Sequence, residues 1–365
     1  MPPGVNHYVA ALQNKPGECD ALVHASAQTW AHFTPLLQIV GPKDCGKEPF
    51  THTRIKAWVK KVAGPVGSHP CFLDVLQLPP NHPTATKEGN VPALSAIHAE
   101  ARKRGMAFAP VLRLGDVRGT VQQIAETIAR DGRGVALRYA LLGTAAAGGR
   151  SVPALIKEAL AAVDVDQTET DLIMDLGYLS EDVEIHAEDL VPTVNELIGV
   201  GGWRSVVLLG TSMPSSLGGG IVEAGTVGRL LRREWDLWSA LRAAGMPRLP
   251  TYGDYAVQHP NPPAAIADGQ IPIGMRGSIR YTHDTTTVIP RGKAPRWEEG
   301  HEQYRKLCKV LVDQPEFLGR EFTWGDRQIA ECADGTIEPG WESHWRGAGT
   351  SHHLRFVVDQ LAKLT

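Results

Sequence analysis

A (β/α)8 barrel is the fold class that this sequence predicts, and three observations carry it. Short apolar runs suited to strands alternate about eight times with longer segments patterned as amphipathic helices, as in a parallel sheet with crossover helices. Runs such as Val206-Val207-Leu208-Leu209 are continuously apolar, which fits strands covered on both faces. The units together span about 250 residues, the usual size of a closed barrel. A doubly wound open sheet is the alternative. It would gather polar strand ends only near its switch point, whereas a barrel converges them on one mouth.

Taken in order, Tyr8 to Leu12 is the first strand, and the polar turn Gln13-Asn14-Lys15-Pro16-Gly17 closes it. A helix from about Glu18 to Trp30 follows, then a strand from Phe33 to Val40 that Gly41-Pro42 breaks. Thr51 to Val62 is helical, with Ile55, Val59 and Val62 on one face. Cys71 to Leu78 is the third strand, and Pro79-Pro80-Asn81-His82-Pro83 cannot prolong it. Val91 to Arg104 is helical, Ala107 to Leu114 extended, and the next helix starts from an Asp116 or Thr120 N-cap and ends at Gly132 and Gly134. Val135 to Leu142 is the fifth strand, followed by Ala145-Ala146-Ala147-Gly148-Gly149 and a helix from Val152 to Val163. Asp171 to Leu176, Ser205 to Leu209 and Leu249 to Val257 are the remaining strands, with helices at Asp189 to Ile198 and Thr226 to Ala244.

Residues 1–258 thus read as the barrel, and residues 259–365 as an extension packed on it that completes the mouth. The extension holds a ribbon, Gly277 to Thr282 and Val288 to Gly292, turning at His283-Asp284. A charged helix near Trp297 to Val312, a loop-rich segment through Trp324-Gly325-Asp326 and Trp345-Arg346, and a closing helix after Ser351 complete it.

Composition narrows the function classes. With 37 Lys and Arg against 40 Asp and Glu, the formal charge of −3 argues against a dedicated electrostatic DNA binder, while a local basic groove stays open. The five cysteines are scattered, with no C-x-x-C pair, so reduced thiols in a cytoplasmic protein are expected and a structural zinc site is not. Met1-Pro2-Pro3-Gly4 lacks the basic and apolar regions of a secretory signal, and no apolar run reaches the roughly 18 residues of a membrane helix.

The candidate chemistry lies at strand ends. Lys15, Glu18, Gln38, Asp74, Arg113, Arg138, Asp175, Ser212, Asp254 and Tyr255 all end strands or follow them. Arg138 and Asp175 interrupt apolar runs, which suits either a paired network inside the barrel or an arginine-lined anion pocket with Asp175 or Asp254 as acid, base or orienting group. Arg280 and Arg291 lie on the ribbon as edge charges or as an anion clamp, since a guanidinium suits bidentate capture of phosphate or carboxylate. The loop Gly210 to Gly220 is a flexible lid, a plain connector or a phosphate cradle, without the lysine of a P-loop. At the closing helix, a Thr350 or Ser351 N-cap would aim free amides at an anion, with Arg346 and His352 or His353 adding to it. Adjacent helical histidines point about 100° apart, so a zinc pair is not expected. Neither G-x-S-x-G nor H-E-x-x-H occurs.

These residues form a pattern. Tyr8-Val9-x-x-Leu12 with Lys15-x-Gly17-Glu18, Thr34-Pro35-Leu36-Leu37, Tyr252-Gly253-Asp254-Tyr255, Ile279-Arg280-Tyr281-Thr282, Arg291-Gly292, Gly325-Asp326 and Trp345-Arg346 with Gly349-Thr350-x-His352-His353 resemble the beta protein family of phages and satellite prophages. Gln38 departs from the acidic residue more usual there. The resemblance implies a role in anti-phage defence or phage–host conflict and a shared site at the matching positions. The resulting expectation is a phosphate-bearing ligand, a nucleotide or nucleic acid, at the barrel mouth, with phosphoester hydrolysis as the reaction class to test first. Arg280, Arg291 and Arg346 would hold the anion, and Lys15, Arg138, Ser212, Tyr255, Tyr281 and Thr350 would line the site. Asp175 or Asp254 would be base or metal ligand, and His352 or His353 the acid; no cofactor is assigned, and a divalent cation stays open. Two alternatives stand beside it: a non-catalytic sensor that regulates a toxin or effector partner, and a scaffold for protein interaction.

Overall fold

The computed structural model describes residues 4, 6–41, 48–76, 78, 82–87, 89–142, 150–182, 185–261, 276–293 and 295–364. The chain runs β1 (Tyr8–Gln13), α1 (Pro16–Val23), α2 (Ala27–Ala31), β2 (Phe33–Val40), β3 (Phe50–Thr51), α3 (His52–Val66), β4 (Pro70–Leu76), β5 (Pro83–Thr86), β6 (Gly89–Pro92), α4 (Ala93–Lys103) and β7 (Ala107–Arg113). It continues with α5 (Arg118–Asp131), β8 (Val135–Ala140), α6 (Val152–Ala162), β9 (Thr170–Tyr178), α7 (Ala187–Gly199), β10 (Ser205–Thr211), β11 (Val227–Leu231), α8 (Arg233–Ala243) and β12 (Thr251–Asp254). β13 (Tyr281–His283), β14 (Thr286–Pro290), α9 (Arg296–Glu299), α10 (Glu302–Val312), α11 (Trp324–Asp334) and α12 (Glu342–Ala362) complete it.

Eight parallel strands close into a barrel in the order β1-β12-β10-β9-β8-β7-β4-β2, with helices outside, so the fold is a (β/α)8 barrel. Strand alternation divides the apolar side chains between two cores. Val9, Leu36, Phe72, Val111, Ile173 and Leu209 fill the barrel, whereas Tyr8, Leu12, Leu37, Leu172 and Tyr252 face the helices. A strand packed on both sides needs apolar residues at both parities, which is why β10 reads as an unbroken run. Among the described residues, no helix is long and apolar enough to cross a membrane.

Four local expectations give way. The helix expected from Glu18 to Trp30 is two, because the Ser26 hydroxyl accepts from Thr29 N and starts α2 afresh. Neither Asp116 nor Thr120 caps α5; its N-cap is Val117, and the Asp116 carboxylate accepts from Arg113 N at 2.8 Å. The helix expected over Thr226 to Ala244 begins only at Arg233, since Val227–Leu231 pairs with β14 and turns the ribbon into a three-stranded sheet, β11-β14-β13. The closing helix begins at Glu342 rather than after Ser351. Gly347 and Gly349, poor helix formers, suggest a break there, yet both lie inside α12 where backbone presses on it. A Cβ on Gly349 would stand 2.4 Å from Arg280 O, and one on Gly347 2.8 Å from Gly17 O. The run Ala145 to Gly149 lies outside the described residues.

Candidate functional site

At the C-terminal ends of the barrel strands, the residue that follows the last apolar layer inward is polar on strand after strand. Gln13, Gln38, Asp74 and Arg113 share the parity of Ala11, Leu36, Phe72 and Val111, and Arg138, Asp175 and Thr211 that of Ala136, Ile173 and Leu209. Tyr255, just past β12, joins them. Arg138 donates to Asp175 at 2.7 and 3.0 Å, to Asp74 at 2.5 Å and to the Tyr255 hydroxyl at 2.5 Å. Arg113 also pairs with Asp74, and the Tyr255 hydroxyl reaches both oxygens of Asp175 at 2.8 and 2.9 Å. Burial pushes the Asp74 carboxyl up, but Arg113 and Arg138 outweigh it and hold it below the usual carboxylate range. Two arginines thus balance two aspartates, and Asp175 is fully committed to partners.

A cavity of about 300 Å³ opens beside this ring, at the same end of the barrel. It is lined by Lys15 and Glu18 after β1, Ser215 after β10, Gln258 after β12, Arg280 before β13, and Glu342 and Arg346 in the first turns of α12. Two helices, α1 and α12, begin at its wall, and among the described residues neither start has a side-chain cap at its N-cap residue, so two positive dipole ends meet there. Arg280 is 8% exposed, donates to Val257 O, and leaves Nε without a partner; no carboxylate is within ion-pair distance of it among the described residues. Burial first, then the nearby Arg346, holds its guanidinium well below the ordinary arginine value. Arg346 pairs with Glu342 at 3.0 Å. Burial lowers Lys15 as well.

Glu18, 1% exposed, is the carboxyl of the cavity. Its Oε2 accepts from Gln13 N, its Oε1 has no partner among the described residues, and burial pushes it up to about 7 against the pull of Lys15. Gln13 Oε1 and both ends of the Gln38 amide are likewise buried without partners among the described residues, and the two glutamines are register neighbours on β1 and β2.

The residues singled out in the sequence therefore separate into groups. Lys15, Arg280 and Arg346 share the cavity; Arg138, Asp175 and Tyr255 share the ring. Asp254 joins neither, because it has the parity of Tyr252 and faces outward, accepting from Tyr8, from Tyr252 at 2.9 Å, from His353 Nε2 at 2.9 Å and from Ala256 N at 2.8 Å. His353 Nδ1 meets Thr282 Oγ1 at 2.7 Å, and burial lowers its basicity. His352 lies between Asp326 at 3.1 Å and Thr282 O at 2.8 Å, and the Tyr281 hydroxyl donates to the same Asp326 at 2.7 Å. Thr350, far from any helix start, donates to Arg346 O at 2.9 Å. Asp254, Tyr281, His352 and His353 are thus tied into buried contacts between α12 and its neighbours, and Thr350 is buried within α12.

Arg291 donates to Leu217 O at 2.7 Å and to Val222 O, pinning the loop after β10, and Ser212 donates to Glu234 at 2.7 Å while accepting from Arg233 N. Neither lines the cavity. Sequence reading placed Glu18 at a strand end without assigning it a role and missed Gln258 and Glu342; the i, i+4 spacing of Glu342 to Arg346 was the available signal. Among the described residues, no three His, Cys, Asp or Glu side chains are grouped to hold a metal ion.

The family model described as Beta protein matches residues 8–359. No curated protein matches the chain in sequence. Among solved structures, 2,3-dimethylmalate lyase, a PEP mutase/isocitrate lyase superfamily member, is 12% identical with a TM-score of 0.37, over 70% of this chain and 76% of that one. D-psicose 3-epimerase in the presence of D-fructose is 9% identical with a TM-score of 0.31, over 68% of this chain and 84% of that one.

Proposed function

This chain belongs to the Beta protein family, and we propose that it binds a phosphate-bearing ligand, a nucleotide or a nucleic-acid phosphate, at the C-terminal mouth of its barrel. The observation that carries the reading is Arg280, a buried guanidinium with no carboxylate within ion-pair distance among the described residues, which opens on a cavity shared with Lys15 and Arg346. A buried charge without a counterion is costly, and an anionic ligand would offset that cost. The two uncapped helix starts favour the same sign of ligand. Sensing of such a ligand in phage–host conflict, with the signal passed to an effector, fits this reading because the acids and bases expected for hydrolysis do not gather in the cavity. Turnover of a phosphoester is the second reading, and Glu18 is the observation in its favour, a carboxyl poised near neutrality in the same cavity.

The test is thermal stability of the full chain with inorganic phosphate, nucleoside monophosphates and short oligonucleotides, and product analysis with and without Mg²⁺ or Mn²⁺. Binding is expected to stabilise by about 2.7 kcal/mol at a hundredfold excess over Kd. Arg280→Met is expected to remove the response without lowering the stability of the ligand-free protein. No response to any phosphate compound, or an unchanged response in Arg280→Met, would overturn the reading.

A further inference from the structure

The anion-binding reading leaves Glu18 unexplained. A carboxylate does not help to hold a phosphate, and this one is buried in the wall of the cavity beside the three cations. One of its oxygens serves the fold, since Oε2 accepts from Gln13 N and fixes the turn that leads from β1 into α1. Oε1 has no partner. Close by along the chain and across the strand pair, Gln13 Oε1 and the whole Gln38 amide are also buried and unpartnered. Buried polar atoms are nearly always hydrogen-bonded, so four such atoms, three on the adjoining ends of β1 and β2 and one on α1 just after β1, indicate a bonding demand that the described residues do not meet. Above about pH 7, where Glu18 is ionised, three of the four accept and Gln38 Nε2 donates, so the missing group both donates and accepts, as a hydroxyl does, and toward Glu18 Oε1 it is a donor.

We propose that Glu18 reads a hydroxyl donor next to the anionic group of the ligand, so that the mouth takes phosphorylated hydroxy compounds, such as nucleotides and sugar phosphates, over phosphate esters lacking that hydroxyl. This rests on the anion-binding reading. The cations hold the phosphate, the Glu18 Oε1 accepts from the hydroxyl, and the cavity of about 300 Å³ has the size of a small-metabolite site. A ligand without the hydroxyl leaves the carboxylate buried and unsatisfied, which is the basis on which a site built for a hydroxyl rejects its deoxy analogue.

The experiment is calorimetric titration of the full chain with glycerol 1-phosphate and with propyl phosphate, which share a three-carbon ester and differ in the hydroxyls. The wild-type protein is expected to prefer glycerol 1-phosphate by about tenfold or more. In Glu18→Gln the side-chain carbonyl keeps the bond to Gln13 N and a neutral amide donor replaces the charged acceptor, so the hydroxyl keeps only a weaker, reversed bond and the preference is expected to fall severalfold. Equal affinities in the wild type, a comparison that needs no variant, would overturn the proposal and leave anion binding standing. A preference that is undiminished in Glu18→Gln would take the role away from Glu18. Failure of the wild type to bind either ester would overturn the anion reading and this proposal with it.

Discussion

Gly17→Ala tests whether the mouth is assembled by backbone contact between α1 and α12. A Cβ at position 17 would stand 2.2 Å from Ser343 O and 2.8 Å from Gly347 N, and both are main-chain atoms that cannot rotate away. Bringing the first contact to the 3.4 Å of ordinary packing moves the two helices apart by roughly 1.2 Å. Overpacking of this kind costs about 1–3 kcal/mol, and backbone atoms put this case at the upper end. The same shift separates Lys15 and Glu18, at the start of one helix, from Glu342 and Arg346 on the other, so phosphate affinity is expected to drop about tenfold, equivalent to about 1.4 kcal/mol. Urea unfolding and calorimetric titration with inorganic phosphate measure the two effects. Gly64→Ala is the control, because that helix-interior glycine has nothing within 4 Å and alanine there is expected to stabilise by about 0.5–1 kcal/mol. If Gly17→Ala is as stable as the wild type and binds phosphate equally well, the helices do not meet as described and the reasoning fails.

The other predictions concern charge. Asp254→Ala removes the acceptor shared by Tyr8, Tyr252, His353 and Ala256 N and is expected to cost about 3–5 kcal/mol in urea unfolding, with phosphate affinity of the folded protein unchanged. Arg138→Met leaves Asp74 and Asp175 short of a counter-charge and is expected to destabilise by about 3–5 kcal/mol at neutral pH. Because the folded Asp74 carboxyl lies below its usual range, the stability it contributes is present at neutral pH and lost on acidification, so the deficit of Arg138→Met should shrink as pH falls through the carboxylate range; an unchanged deficit would refute this. Glu18 has the opposite sign: raised from 4.5 to about 7, it favours the folded state fully below the unfolded value and loses that contribution as pH rises to about 7. Glu18→Gln is therefore expected to gain up to about 3 kcal/mol relative to wild type between those limits. Sulfate, which does not titrate there, should bind the wild type more weakly above pH 7 than below it, and a flat profile would remove Glu18 from the cavity's electrostatics.

Much of the architecture was readable because its signals are local. Val206 to Leu209 marks a strand covered on both faces whatever its neighbours are, and Gly132 ends α5 with a positive φ of 61°, as glycine at a helix C-terminus does. The misreadings fall where a distant partner overrides local preference. Leu230, Leu231, Trp235 and Trp238 have helical spacing, yet the edge of β14 draws Val227–Leu231 into a sheet. Gly347 and Gly349 look like a break in α12, and their role as contact points is visible only once Gly17 and Arg280 lie against them.

The pattern of residue types along the chain determined that eight parallel strands alternate with helices and that Lys15, Arg280 and Arg346 are candidates for an anion, because periodicity and side-chain chemistry are properties of short windows. Tertiary structure alone decided which candidates meet. Asp254 and Tyr255 are chain neighbours, but strand parity sends the first outward to His353 and the second inward to Arg138 and Asp175. Lys15 and Arg346 lie at opposite ends of the sequence and share one cavity because glycines let α1 and α12 touch backbone to backbone, a contact that no window of sequence contains.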